Sequence, residues 1–238
     1  MKHNKLISLT LFLPLMLTSC NIFGISIKTP AHMKKVPNKE QVIAALGERY
    51  SISFVAGSYN NGTDGGEVHE EANVYLVVSP DKIYSDIISD EQSGEAYIRK
   101  EEGKWYQYTD TNDDDKFDHR EALDDDYQYD YAAIAYVALG GTEAVMYDTE
   151  EVVEYKSRSC TQYVGTFAWN GMGVNFSYTQ TSIFDNETGV CLKHVITVSG
   201  NADEQFDCTA FLEVNEIVTD DSEVNSLLAS YDARIELA

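Results

Sequence analysis

The chain has 238 residues, with 17 Lys+Arg against 40 Asp+Glu, a formal net charge of −23, and a hydrophobic fraction of 43% that includes 16 tyrosines. That apolar content suffices for a packed core and excludes an acidic disordered tail. A charge of this sign excludes nucleic acid as a partner, because phosphate binding needs a basic patch. Six of the basic residues (Lys2, Lys5, Lys28, Lys34, Lys35, Lys39) precede Gln41, so the body of the protein is more acidic than the whole chain.

The N-terminus reads as an export signal. Lys2, His3 and Lys5 form a short basic region, and residues 6–17 (LISLTLFLPLML) are apolar apart from Ser8, Thr10 and Pro14. This run falls short of the roughly 20 residues that cross a bilayer as a helix. Leu17-Thr18-Ser19-Cys20 follows. It resembles the lipobox of bacterial lipoproteins, which implies cleavage before Cys20 and a lipid on its sulfur; an ordinary signal peptide would leave Cys20 a free thiol. On the lipoprotein reading residues 1–19 are removed and the chain is exported and held on the bacterial membrane through Cys20. No later segment is long and apolar enough to span a bilayer.

Residues 20–38 carry Gly24, Pro30 and Pro37 and read as a tether. Its lysines either contact anionic headgroups or are simply solvated. Residues 39–238 read as one domain by length. Val42, Ile43 and Leu46 mark an amphipathic helix over 39–49, with Asn38 as its cap. Strands follow: Ile52, Phe54 and Ala56 alternate with polar neighbours, and Val68, Ala72, Val74, Leu76 and Val78 share one parity. After Ser79-Pro80-Asp81 come Lys82–Ile88 and a tight hairpin, Ala96–Lys100 with Lys104–Thr109.

Residues 124–139 (DDDYQYDYAAIAYVAL) break the alternation. Aspartates at the start and Gly140-Gly141 past the end are helix punctuation, so a largely buried helix is expected. A second meander is expected over 152–155, 160–169, 174–184, 191–199 and 206–214, with Phe211 alone breaking the alternation of the last strand. An amphipathic helix over 221–231 closes the chain.

The lipobox, the hairpin EAYIRKEEGKWYQY (95–108), the segment DNETGVCLKH (185–194) and the order helix, meander, helix, meander, helix together resemble lipoproteins and periplasmic carriers of the LolA/LolB/LppX type. The resemblance is architectural and covers most of the mature chain. It implies an α+β fold: a curved, antiparallel, open β-barrel (half-barrel) wrapped around a central helix, with N- and C-terminal helices. It also implies an apolar cleft for a lipid-like or hydrophobic ligand, and no ligand contacts carry over from it. The aromatic residues Phe54, Trp105, Tyr163, Phe167, Trp169, Phe176 and Tyr178 either line that cleft or fill a core. The alternative is a cell-surface interaction module, stabilised by calcium, without a small-molecule ligand.

Three local patterns carry chemistry. Asp110, Asn112, Asp114, Asp118 and Glu121, with the Lys116 carbonyl, fall at the ligand spacing of a twelve-residue calcium loop, but Asp115 replaces the sharp-turn glycine. The other reading of this segment is an acidic hairpin loop. Cys160 and Cys191 have matching parity for a disulfide, which an exported chain permits, although a simple meander puts a strand between them. Cys208 points into the apolar face as a free thiol. The remaining histidines (His32, His69, His119, His194) form no H-E-x-x-H pair, and no G-x-S-x-G, C-x-x-C or phosphate-cradling glycine loop occurs. The expectation is a non-enzymatic protein without a cofactor other than calcium.

Overall fold

A computed structural model describes residues 37, 39–61, 67–90, 93–123, 147–171, 174–201 and 205–236. The signal segment, Cys20, the rest of the tether, Asn38 and the helix expected over 124–139 lie outside the described residues.

Two helices and eleven strands are described: α1 (Lys39–Leu46), β1 (Tyr50–Asn61), β2 (Glu67–Val78), β3 (Lys82–Ser89), β4 (Ser93–Glu101), β5 (Lys104–Thr109), β6 (His119–Ala122), β7 (Thr149–Tyr155), β8 (Arg158–Gly171), β9 (Val174–Asp185), β10 (Cys191–Asn201), β11 (Gln205–Val218) and α2 (Asp221–Asp232). The strands form one antiparallel sheet in the order β6-β5-β4-β3-β2-β1-β11-β10-β9-β8-β7. Each meander is built from local hairpins. The long-range pairing of β1 with β11, from Ser51 opposite Val218 to Asn60 opposite Cys208, joins them into one open sheet.

Turn chemistry fixes the hairpins. Glu102 (φ 49°) and Gly103 (φ 87°) make the two-residue turn between β4 and β5, and Lys156 (φ 50°) and Ser157 (φ 61°) make that between β7 and β8. At the β9–β10 turn Gly189 has φ 73°, and a Cβ there would stand 3.1 Å from Pro37 Cβ.

Both faces of the sheet bury apolar side chains, in different places. Ile52, Phe54, Val74, Leu76, Leu212 and Val214 share the first face and form one cluster with Val42 and Leu46 of α1. Val77 and Tyr84, with Tyr97 and Tyr108 in register beside them, share the second face and pack on Val224 and Leu228 of α2. A large side chain so buried contributes about 1.5–3 kcal/mol. α2 lies on the face opposite the α1 cluster. It gets there because Val218, the last residue of β11, is paired with Ser51 at the level of Val77, and Asp220 then caps the helix through Ser222 N and Glu223 N, each at 3.0 Å.

An ionic hub fastens α2. The Asp232 carboxylate accepts from Lys82 Nζ (2.6 Å), Tyr97 Oη (2.7 Å) and Arg99 Nη1 (2.9 Å). Tyr231 stacks on Tyr84 with ring centroids 3.7 Å apart, and Arg234 pairs with Glu95 and Asp115.

The sheet is also coiled. β7 lies four strands from β11, roughly 19 Å away in a flat sheet. Yet Tyr155 Oη donates to Glu213 Oε1 at 2.7 Å, and Lys156 Nζ donates to the Val214 carbonyl at 2.7 Å. Tyrosine and lysine side chains cannot reach that far, so the β7–β8 hairpin folds over the second face and buries Cys160 and Ile183. Burial pulls the Glu213 carboxyl up, but bonds from Tyr155, Lys156 and Lys193 outweigh it and hold the group at about 2. A carboxyl depressed on folding stabilises the fold above its unfolded value and stops doing so as pH falls through its folded one. Denaturant midpoints of the wild type should therefore drop between about pH 4.5 and 2, and those of Glu213→Gln should drop less. Equal drops would remove Glu213 from the hinge of the coil.

Candidate functional site

The buried polar side chains described on the first face, Gln180, Ser182 and His194, gather at one place. Across the sheet run two adjacent rows: Ala72, Ala56, Leu212, His194, Ser182 and Tyr163, then Ser58, Ala210, Ile196, Gln180 and Gly165. Period-two alternation along β9 sets Tyr178, Gln180, Ser182 and Phe184 on this one face, and antiparallel register puts His194 of β10 directly opposite Ser182. Tyr147, just before β7, packs on Tyr163 with centroids 5.2 Å apart and completes the group.

These side chains form a hydrogen-bonded relay. Tyr178 Oη donates to Gln180 Oε1. Gln180 Nε2 donates to Tyr147 Oη at 3.0 Å and more weakly to Ser182 Oγ at 3.4 Å. Tyr147 Oη donates to Ser182 Oγ at 2.8 Å, and Ser182 Oγ lies 2.8 Å from His194 Nδ1. Gln180 and Ser182 are fully buried and His194 is 3% exposed. Burial lowers the His194 pKa to about 4, so the ring is neutral at pH 7. Among the described residues its Nε2 is buried without a hydrogen-bond partner.

Below the relay, towards Phe54 and Val214, the face is a filled core. Above it, the apolar strip continues through Tyr178, Ile196, Val198, Cys208 and Ala210, all only half-buried. Of the aromatics named from sequence, Phe54 and Tyr163 belong to the filled cluster, Tyr178 to the relay, and Trp105 lies under Lys100 at 5.6 Å. The side chains of Phe167, Trp169 and Phe176 lie outside the described ones. Ser182 and His194 place a hydroxyl beside an imidazole, but both are sealed from solvent, and no carboxylate orients the ring among the described residues.

The Asp110–Glu121 loop is compact. Asp110 accepts from the backbone N–H groups of Asn112 (3.0 Å), Asp114 (3.4 Å) and Asp115 (2.7 Å), and Asp118 accepts from Thr111 N (2.9 Å), the Thr111 hydroxyl and the Asn112 amide. Asp115, standing where the glycine was missed, has φ 67°. Lys116 Nζ turns outward to Glu236 at 2.7 Å, and Glu121 is exposed on β6. Among the described residues no three His, Cys, Asp or Glu side chains converge on a metal-sized site. Phe117 carries the loop's structural role: it is fully buried, stacks on Tyr97 at 5.7 Å and bridges to Ile235.

Cys160, Cys191 and Cys208 are free, and the Cys160–Cys191 pairing that matching parity left open is not bridged. Cys160 lies opposite Asp185, and Cys191 opposite Phe184, the preceding residue of β9. The two thiols therefore fall on opposite faces with β9 between them. A register shift between Cys191 and Lys193 reverses the parity that sequence alternation assigned to Cys191. Cys208 does face the first surface, but half-buried. Burial pushes the Cys191 thiol up to about 12, which leaves almost no thiolate to react. Alkylation of the native protein should label Cys208 first, with Cys160 and Cys191 reacting only on unfolding. A cross-linked peptide joining the latter two would contradict this register.

No family model and no curated protein matches the sequence. Among solved structures, the chain is similar to a LolA superfamily protein from Nitrosomonas europaea, at 10% identity, with 79% of this chain and 95% of that chain covered and a TM-score of 0.25. A likeness at that score establishes neither fold nor function. Among the described residues no helix is long and apolar enough to cross a membrane.

Proposed function

We propose that this chain is an exported, non-enzymatic lipoprotein, tethered by a lipid on Cys20, that binds a hydrophobic ligand on the first face of its sheet. The lipobox sequence supports the tether. One structural observation carries the binding reading. The apolar strip of the first face leaves its filled core at the relay and continues half-buried, with buried polar groups at its floor. Binding sites for apolar ligands are largely apolar surfaces with a few placed polar groups. The test is displacement of a fluorescent long-chain acyl probe from the purified protein. Saturable displacement, weakened by Ile196→Asp or Val198→Asp, supports the reading, and no binding at micromolar protein would refute it.

The rival, a calcium-stabilised interaction module, is favoured by the loop already folded around Asp110, with Asp115 in the conformation a glycine would supply. Calorimetry with calcium decides it. Saturable heat at sub-millimolar metal supports the module, and none at millimolar metal removes it.

A further inference from the structure

One end of the sheet carries an open polar cleft of about 590 Å³ between the β7–β8 and β9–β10 turns, lined by Lys156, Arg158, Ser159, Asp185, Asn186 and Glu187. Its walls are tied together. Asn186 N donates to the Ser159 carbonyl at 3.0 Å, Asn186 Nδ2 to Ser159 Oγ at 3.0 Å, and Thr161 Oγ1 to Asn186 Oδ1 at 2.7 Å. Arg158 is set by a buried partner. Its Nη1 donates at 3.0 Å to Asp185 Oδ2, on a residue 2% exposed whose carboxylate also accepts from Thr188 Oγ1 at 2.7 Å. That bond uses one nitrogen of a planar fork, and 35% of the Arg158 side chain stays exposed. A guanidinium held at one edge presents its other donors to an anion in a fixed plane.

Charge narrows the class of ligand. Lys156 is balanced by Glu213 at 3.1 Å and Arg158 by Asp185. Glu187 is exposed on the rim, without an ion-pair partner among the described residues. The cleft therefore offers N–H donors beside one spare carboxylate, on a chain of net charge −23. A lone anion is repelled by that field. A ligand carrying both a phosphodiester and a primary ammonium meets Arg158 with one and Glu187 with the other. Because the cleft is open and polar, it takes a headgroup and leaves any attached acyl chains outside. Its place in the fold fits this. Pro37 packs on the β9–β10 turn, where a Cβ on Gly189 would stand 3.1 Å from Pro37 Cβ, so the chain leading back to Cys20 leaves the body beside the cleft.

We propose that this cleft binds the phosphoethanolamine headgroup of a lipid in the anchoring membrane, with Arg158 donating to the phosphate and Glu187 accepting from the ammonium. Its placement at the membrane rests on the tether reading above; the chemistry of the cleft does not. A phosphoglycerol headgroup has no cation for Glu187, and a choline headgroup has a methylated one that cannot donate.

The experiment uses the full chain labelled with nitrogen-15 and held in an uncharged detergent, with the Arg158 Nε–H resonance assigned from the wild-type backbone. Three short-chain phospholipids with the same tails are added, so binding on the apolar strip is common to all. The ethanolamine lipid should move the Arg158 resonance at concentrations where the choline and glycerol lipids leave it in place. Glu187→Gln, an exposed change that keeps the Arg158–Asp185 pair, should weaken that effect by about threefold. No movement, equal movement by the glycerol lipid, or movement that Glu187→Gln leaves unchanged each overturns the proposal. Movement by glycerophosphoethanolamine but not by the ethanolamine lipid assigns the cleft to a soluble phosphodiester and overturns the membrane assignment. The tether fails separately: an unmodified Cys20 beside a resonance that still moves refutes the tether and leaves the headgroup site standing.

Discussion

Replacing Asp232 by alanine should lower the unfolding free energy by about 3 kcal/mol and the melting temperature by roughly 5–10 °C. Three donors converge on this carboxylate from two strands: Lys82 from β3, and Tyr97 and Arg99 from β4. Truncation leaves the Tyr97 hydroxyl, on a ring that is 0% exposed, without the acceptor it has now. It also leaves Lys82 without this partner, while Arg99 keeps Glu101. The Asp232 side chain is 27% exposed, so water screens part of the ionic interaction and a full buried-pair penalty is not expected. The contrast is Lys116→Ala, which breaks an exposed pair with Glu236 and should cost at most about 1 kcal/mol. Burial raises the Asp232 carboxyl, but the bonds from Lys82, Tyr97 and Arg99 outweigh it and hold it below its usual range. Its contribution is thus present above the unfolded pKa and is lost as pH falls below it. An Asp232→Ala protein that melts within a degree of wild type would show that packing alone holds α2 to the sheet.

A second large effect is expected from His194. Burial lowers its pKa from an ordinary 6.5 to about 4. The unfolded chain therefore takes a proton that the folded protein refuses throughout that window. Stability is complete above pH 6.5, falls as pH drops from 6.5 to 4, and levels below. Two and a half units correspond to a loss on the order of 3 kcal/mol. Its relay partners Tyr147, Gln180 and Ser182 do not titrate in this range, whereas carboxylates elsewhere begin to near its lower end. The comparison with His194→Phe isolates the histidine: denaturant midpoints of the variant should be flatter between pH 6.5 and 4. Parallel curves would mean that the imidazole is hydrated in the folded protein and that the relay is open to water.

Local alternation made much of the sheet legible. Ala72 to Val78 and Cys208 to Val214 lie on the face their parity assigned, and Phe211, the exception, stacks on Tyr59 on the other side at 5.3 Å. Lys104–Thr109 has the bounds read from sequence, because Glu102-Gly103 dictates its turn. The pairing of β1 with β11 was not legible, since no turn or spacing encodes a partner some 150 residues away. Nor was the shift at Cys191, where one extra residue turns the thiol to the other face and undoes the disulfide. The four-residue β6 was too short to show a period. The relay left a faint trace: Tyr178, Gln180 and Ser182 are polar or amphipathic residues at every second position, leading to apolar Phe184. That pattern marks a buried polar row once the strand's inner face is known. His194 drew notice only for lacking a catalytic partner, because the register that puts it beside Ser182 is tertiary.

The proposed lipid tether on Cys20 would decide where the protein operates, and intact-mass analysis of protein purified from membranes tests it most directly. The chain should begin at Cys20 and carry a thioether-linked diacylglyceryl group on its sulfur. A mature chain starting at another residue, or an unmodified Cys20, would contradict the account.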